Sequence, residues 1–156
     1  MTVIRPAPVR KSIVVKASTE KSFTTFTSRI GRWWPRSKSI GSAPQADVVL
    51  EPGVGGRWYE RGSDGSECQW GKVLQWEPPG RLVLAWQING SWSFDPTLVT
   101  EVEVRFVAET PNRTRVELEH RDLERFGDGQ EPIRAAFDSP GGWQGLLDAF
   151  AHAAAA

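Results

Sequence analysis

The sequence predicts an α+β fold in which a curved antiparallel sheet packs around a long C-terminal helix. Three observations favour this class. Short segments of alternating apolar and polar residues occupy the middle of the chain, turn residues separate them, and apolar residues at helical spacing appear before and after them. With 156 residues, of which 39% are hydrophobic, the chain has the size of one ordinary domain. We therefore expect residues 1–156 to form a single domain.

The N-terminal part of the chain predicts a strand, a short helix and a loop. The segment Val9–Val15 is rich in β-branched residues, which favour a strand. Ser18 is suited to cap an amphipathic helix that should end near Gly31. The Ser-, Gly- and Pro-rich run Arg36–Pro44 then predicts an exposed loop, with the pair Trp33–Trp34 at its mouth.

About six further strands are predicted in the middle of the chain. The Gly, Pro and Asn residues between them are typical of the turns of an antiparallel meander. Val102 and Val104 alternate with Glu103 and Arg105, so we expect one buried face and one solvent-facing face. The predicted strands are Ala46–Leu50, Gly56–Glu60, Gln69–Trp76, Leu82–Ile88, Leu98–Val107 and Arg115–His120.

The last third of the chain predicts helices. A first helical stretch spans Pro132–Phe137, and Ser139–Pro140 supply an N-cap and a first-turn proline for a longer helix. Gly141 and Gly142 lower helix propensity and predict a bend or a close approach of backbones. Four apolar residues at positions i, i+3, i+4 and i+7 should lie on the sheet: Trp143, Leu146, Leu147 and Phe150.

Charge and cysteine content argue against several function classes. Lys+Arg and Asp+Glu both number 19, so no overall field draws the molecule to nucleic acid, and we expect no such partner. One cysteine, Cys68, and two separated histidines make no zinc pattern, so we expect neither a metal nor another cofactor. Met1–Pro8 lacks the apolar core of a signal peptide, and no apolar run reaches the ~18 residues of a membrane span. We expect a soluble, cytoplasmic protein.

Eight tryptophans stand against one tyrosine and one methionine, which makes the indoles the main candidates for a ligand site. Trp33, Trp34 and Trp92 fall in predicted loops, where they are either entrance residues or loop anchors. For the others, core packing and stacking on an apolar or aromatic ligand both stay open. These other candidates are Trp58, Trp70, Trp86 and Trp143.

Two titratable residues are predicted to point inwards. The alternation of Val116 and Leu118 places His120 on the buried face, and Glu60 shares a face with Trp58. A buried carboxylate needs an Arg, His, water or ligand partner. Glu60 and His120 are therefore strand-end residues that reach solvent, a structural pair, ligand-orienting residues, or the acid and base of a cyclase-, hydrolase- or dehydratase-type enzyme.

A small basic cluster surrounds the Trp pair. Its members either meet an anionic headgroup or form a solvated surface, and we favour the solvated surface. The cluster consists of Arg29, Arg32, Arg36 and Lys38.

Several motifs, spread over nearly the whole chain, resemble a known family. They are Pro52–Glu60 with the turn Asp64–Gly65, Trp70–Val73, Trp76–Trp86, and Gly142–Trp143 before Leu146 and Leu147. In this order they resemble the SRPBCC or START-like (Bet v 1-like) helix-grip superfamily. Within it, the chain is similar to bacterial proteins that resemble the C-terminal domain of the activator of Hsp90 ATPase.

The resemblance implies a sheet that grips the C-terminal helix around a hydrophobic pocket, a scaffold that binds lipids, sterols or polyketides and occasionally catalyses reactions. We therefore expect a small hydrophobic or amphipathic ligand between the sheet and that helix, in a monomer or homodimer. The eukaryotic activator carries an additional N-terminal domain for which this chain has no room, so we expect no Hsp90 activation. A chaperone-interaction module and an enzyme that uses Glu60 and His120 stay open as alternatives.

Overall fold

The computed structural model describes residues 7–156, in which seven strands form one antiparallel sheet in the order β1-β7-β6-β5-β4-β3-β2. This curled sheet and the long C-terminal helical segment confirm the predicted α+β helix-grip fold. The signal-peptide prediction rests on residues 1–8, of which residues 1–6 lie outside the described residues. The strands are β1 Val9–Val15, β2 Gln45–Leu50, β3 Arg57–Gly62, β4 Glu67–Glu77, β5 Arg81–Trp86, β6 Thr100–Thr110 and β7 Arg113–Arg121.

Four α-helices of the described residues flank the sheet: α1 Thr19–Phe26, α2 Ile30–Trp33, α3 Gln130–Asp138 and α4 Gly145–Ala155. A 3-10 segment, Leu123–Gly129, precedes α3, and a π-helical turn, Pro140–Gln144, joins α3 to α4. None of the helices in the described part of the chain is long and apolar enough to cross a membrane.

The buried face of the sheet follows the predicted alternation. Val102, Val104, Val116 and Leu118 are at most 2% exposed, and His120 lies on the same face opposite Val102 of the neighbouring strand. Together with the apolar residues of the helices, this face forms one continuous core. The alternation therefore positions His120 inside the protein.

The predicted N-terminal helix is divided into two. Ser18 caps α1 as expected, since its hydroxyl oxygen accepts a hydrogen bond from the Lys21 N–H at 3.1 Å. α1 ends at Phe26, where Thr27 leaves the helical conformation with a ψ of −81°. The Thr27 N–H still makes the last helical bond to the Phe23 carbonyl, and the Thr27 hydroxyl donates to the same oxygen, a local bond by which threonine competes with helix continuation. The placement of Trp33 in a loop is wrong, because Trp33 is the last residue of α2.

The bend predicted near the C-terminus is present at Gly142. A Cβ atom at this position would lie 2.3 Å from the Ala136 carbonyl oxygen and 2.4 Å from that of Phe137. Only a residue without a side chain lets the π-helical turn pass so close to the end of α3. The turn brings Trp143 and, after it, the apolar stripe of α4 into the core, where all four stripe residues are buried.

Candidate ligand-binding site

A cavity of about 470 Å³ lies between strands β4 and β5 and the C-terminal helical segment. Its volume is within the range of about 300–1,000 Å³ that is usual for small-molecule sites. The wall is mostly apolar. Its residues come from four parts of the chain: Trp34, Ser37, Lys38, Ser39 and Ile40; Trp70, Trp86, Ile88 and Trp92; Ala136, Phe137 and Ser139; and Gly141, Gly142, Trp143 and Leu146.

Five of the seven candidate tryptophans line this cavity: Trp34, Trp70, Trp86, Trp92 and Trp143. The indole N–H of Trp86 donates to the Ile88 carbonyl at 3.0 Å, and that of Trp34 donates to the Lys38 carbonyl at 3.1 Å. The N–H groups of Trp70 and Trp143 also have protein acceptors. Because these N–H groups are occupied, the four buried indoles offer the cavity their ring surfaces.

Trp33 and Trp58 are not among the described residues that line the cavity. Trp33 packs against Phe26 and Phe150 at ring-centroid distances of 5.2 and 5.5 Å, and its N–H donates to the Thr25 carbonyl. Trp58 packs edge-on against Trp70 at 5.5 Å and is 1% exposed. These two indoles form a layer behind the wall and hold it in place.

Trp92 lies at the tip of the tight turn after β5. The Asn89 side-chain oxygen accepts from the backbone N–H groups of Ser91 and Ser93, and the Trp92 N–H donates to the Asn89 carbonyl. This turn gives Trp92 a φ of 59°, a left-handed conformation that costs free energy in a residue with a side chain. Trp92 is 47% exposed and also lines the cavity, so it lies where the cavity meets solvent.

Glu60 is 1% exposed, and its carboxylate accepts from four donors of the protein. They are the Ser39 hydroxyl, the backbone N–H groups of Ile40 and Gly41 at 2.6 and 3.2 Å, and the Trp70 indole N–H at 3.1 Å. The partner that a buried carboxylate requires is thus a set of neutral donors. Glu60 ties the cavity segment 39–41 to the wall residue Trp70.

His120 is completely buried, and both of its ring nitrogens have protein partners. Nδ1 accepts from the Trp143 indole N–H at 3.1 Å, so Nε2 carries the proton and donates to the Thr100 hydroxyl at 2.8 Å. That hydroxyl in turn donates to the Trp86 carbonyl. Burial lowers the pKa of His120 to about 3. The histidine is therefore a neutral connector of β5, β6, β7 and the π-helical turn.

Glu60 and His120 do not form the structural pair that was one of the predicted alternatives, because their hydrogen-bond partners are different. Neither is among the described residues that line the cavity. Lys38, which we assigned to a solvated surface, lines it instead, and it is the one ionisable side chain among the described lining residues.

Replacing Glu60 by glutamine is expected to lower the free energy of unfolding by about 2 kcal/mol, because the amide nitrogen cannot accept a hydrogen bond and leaves buried donors without a partner. Urea denaturation measures the change. Glu67→Gln is the matched control: Glu67 is exposed on the adjacent strand β4, and its loss should cost less than about 0.5 kcal/mol. Equal effects of the two substitutions would contradict the role assigned to Glu60.

Residues 16–155 match the family model described as activator of Hsp90 ATPase homolog 1-like protein. The chain belongs to this family. The resemblance predicted from the motifs is thereby confirmed. The comparison with curated proteins found no match to this chain.

The solved structures that resemble this member of the activator of Hsp90 ATPase homolog 1-like family include two with more than 30% sequence identity. The anthrahydroquino-γ-pyrone synthase Txn09, solved as a complex, is 44% identical over 96% of this chain and 97% of its own, with a TM-score of 0.67. CalC, a self-sacrificing resistance protein from Micromonospora echinospora, is 32% identical over 95% of this chain and 94% of its own, with a TM-score of 0.71.

An Hsp90 activator from Plasmodium falciparum is 20% identical over 75% of this chain and 74% of its own, with a TM-score of 0.51. At this identity the likeness concerns the fold alone. The family and the helix-grip fold support a ligand-binding domain.

Proposed function

We propose that the protein binds a planar polycyclic aromatic molecule of the anthraquinone type in the tryptophan-lined cavity. The observation that carries the proposal is the wall itself: five indoles, four of which have occupied N–H groups and present ring carbons. Flat aromatic rings gain free energy on such surfaces by offset or edge-to-face contacts, in addition to their burial. A flexible lipid chain would not make these ring contacts.

The similarity to the synthase supports this ligand class. That protein is named for chemistry on an anthrahydroquinone skeleton, and its 44% identity extends over almost the whole of both chains. The chaperone-interaction alternative has weaker support, because the likeness to the Plasmodium activator concerns the fold alone.

The proposal is tested by calorimetric titration with 1,8-dihydroxyanthraquinone. We expect saturable binding that Trp92→Ala weakens about 5- to 10-fold, the equivalent of one aromatic contact of about 1–1.5 kcal/mol. Trp92 is suited to this test because it is 47% exposed, so its loss should change stability little. Val54→Ala, at a 73% exposed position outside the described cavity lining, is the control and should bind as the wild type does. Absence of saturable binding to the wild type would contradict the proposal.

A ring-closing reaction is the second candidate, and the identity to a synthase favours it. Glu60 and His120 are poor choices for its acid and base, because both have protein partners and neither is among the described lining residues. Incubation of the protein with an anthrahydroquinone substrate, followed by mass spectrometry, distinguishes the two functions. A product formed only with the protein would establish an enzyme.

A further inference from the structure

Lys38 reaches across the cavity from the segment after α2 to the π-helical turn before α4. Its ammonium group donates to the Gly141 carbonyl at 2.5 Å. Both residues line the cavity, and so do Ser37 beside Lys38 and Ser139 near Gly141. An otherwise apolar wall thus carries its positive charge and several hydroxyl groups in one region.

The backbone of Lys38 is held from two directions. Its carbonyl oxygen accepts from the Trp34 indole N–H at 3.1 Å and from the Gln45 side-chain amide at 2.9 Å. The next three residues are fixed by hydrogen bonds to the Glu60 carboxylate. The side chain therefore starts from a fixed point, and less conformational entropy is lost when its ammonium binds a partner.

The charge of Lys38 has no counter-ion among the described residues. An ammonium group has three N–H donors, and the structure gives it one acceptor, a neutral carbonyl. Lys11, by comparison, pairs with Asp138 at 2.7 Å. The Glu60 carboxylate, which binds the three residues after Lys38, already accepts from four donors and has its acceptor positions filled.

We infer that Lys38 binds an ionised carboxylate on the ligand, which makes the ligand a planar aromatic acid. The inference rests on the proposed function, because it assumes that the aromatic part occupies the tryptophan wall. A charge-assisted hydrogen bond to an oxyanion is stronger than the bond to the Gly141 carbonyl. The ligand carboxylate therefore replaces the Gly141 carbonyl as the acceptor of the Lys38 ammonium group, and the aromatic rings lie against the indoles.

The test compares anthraquinone-2-carboxylate with its neutral isostere anthraquinone-2-carboxamide by calorimetry at pH 7. The wild type should bind the acid about 10-fold more tightly than the amide. Lys38→Gln should lose this preference because it weakens the binding of the acid and leaves the binding of the amide unchanged. Lys38→Arg should keep the preference. Lys72→Gln, an exposed lysine on β4 outside the described lining, should bind both compounds as the wild type does. Because the preference is first measured on the wild type, the test does not depend on the folding of a variant.

Two results would overturn the inference and leave the proposed function intact: a wild type that binds both compounds equally, or a Lys38→Gln variant that still prefers the acid. A wild type that binds neither compound would overturn the proposed function and the inference together.

Discussion

Replacing Trp143 by alanine is expected to lower the free energy of unfolding by about 3–5 kcal/mol, the usual cost of truncating a fully packed tryptophan. Trp143 is 2% exposed and packs edge-on against Trp86 and Trp34 at ring-centroid distances of 5.6 and 6.3 Å. Its indole N–H also donates to His120 Nδ1. Alanine leaves a void next to the ligand cavity and a buried acceptor without a donor.

Urea denaturation measures this effect, a second substitution at Trp143 separates its causes, and a substitution at Trp92 is the control. Trp143→Phe keeps most of the ring but removes the donor to His120, so we expect an intermediate loss of about 1–3 kcal/mol. Trp92→Ala removes an indole that is 47% exposed and should cost less than about 1 kcal/mol. A loss below about 1 kcal/mol for Trp143→Ala, under the range of core truncations, would contradict the packing of the π-helical turn against the sheet.

Periodicity predicted the sheet and the helices because each is a local regularity. Strict alternation in β6 and β7 assigned Val104, Leu118 and His120 to the inner face, where the structure has them. The apolar stripe from Trp143 to Phe150 likewise marked the helix that covers the sheet. A pattern of this kind predicts the face of the strand or helix on which a side chain lies. It does not predict which residues distant in sequence the side chain contacts.

Glu103 shows where alternation is insufficient. Its position predicts the solvent-facing side of β6, and it does lie there, but it is only 7% exposed because Arg81, Arg105 and Arg121 cover it. Burial alone would raise the pKa of Glu103, but hydrogen bonds from Arg81 and Arg121 lower it to about 2. Arg105 is a neighbour on β6, but Arg81 and Arg121 belong to β5 and β7, which pair with β6 only after folding. The sequence around Glu103 therefore gives no signal for these two partners.

The candidate site was predicted in part. The count of tryptophans pointed to indoles, and five of the candidates line the cavity. The partners of Glu60 and the cavity position of Lys38 depend on the path of the irregular segment 35–44, which has no periodicity from which side-chain directions follow. The sequence also did not predict the burial of Trp33 and Trp34, whose indole N–H groups donate to the carbonyls of Thr25 and Lys38.

The His120 ring predicts how stability depends on pH. Burial lowers its pKa from 6.5 to about 3, so below pH 6.5 the unfolded chain binds a proton that the folded protein does not. The free energy of unfolding is therefore highest above pH 6.5, and it decreases as the pH is lowered below 6.5.

We expect protonation of this histidine in the unfolded chain to lower the free energy of unfolding by about 2 kcal/mol at pH 5 and about 3 kcal/mol at pH 4, relative to pH 8. Urea denaturation at each pH measures the loss. The chain has only two histidines, and His152 is exposed near the C-terminus. His152→Gln should keep the wild-type pH dependence, whereas His120→Gln should be less stable at pH 8 and lose little more between pH 8 and pH 5. If His152→Gln were the variant that flattened the curve, the neutral state assigned to His120 would be wrong.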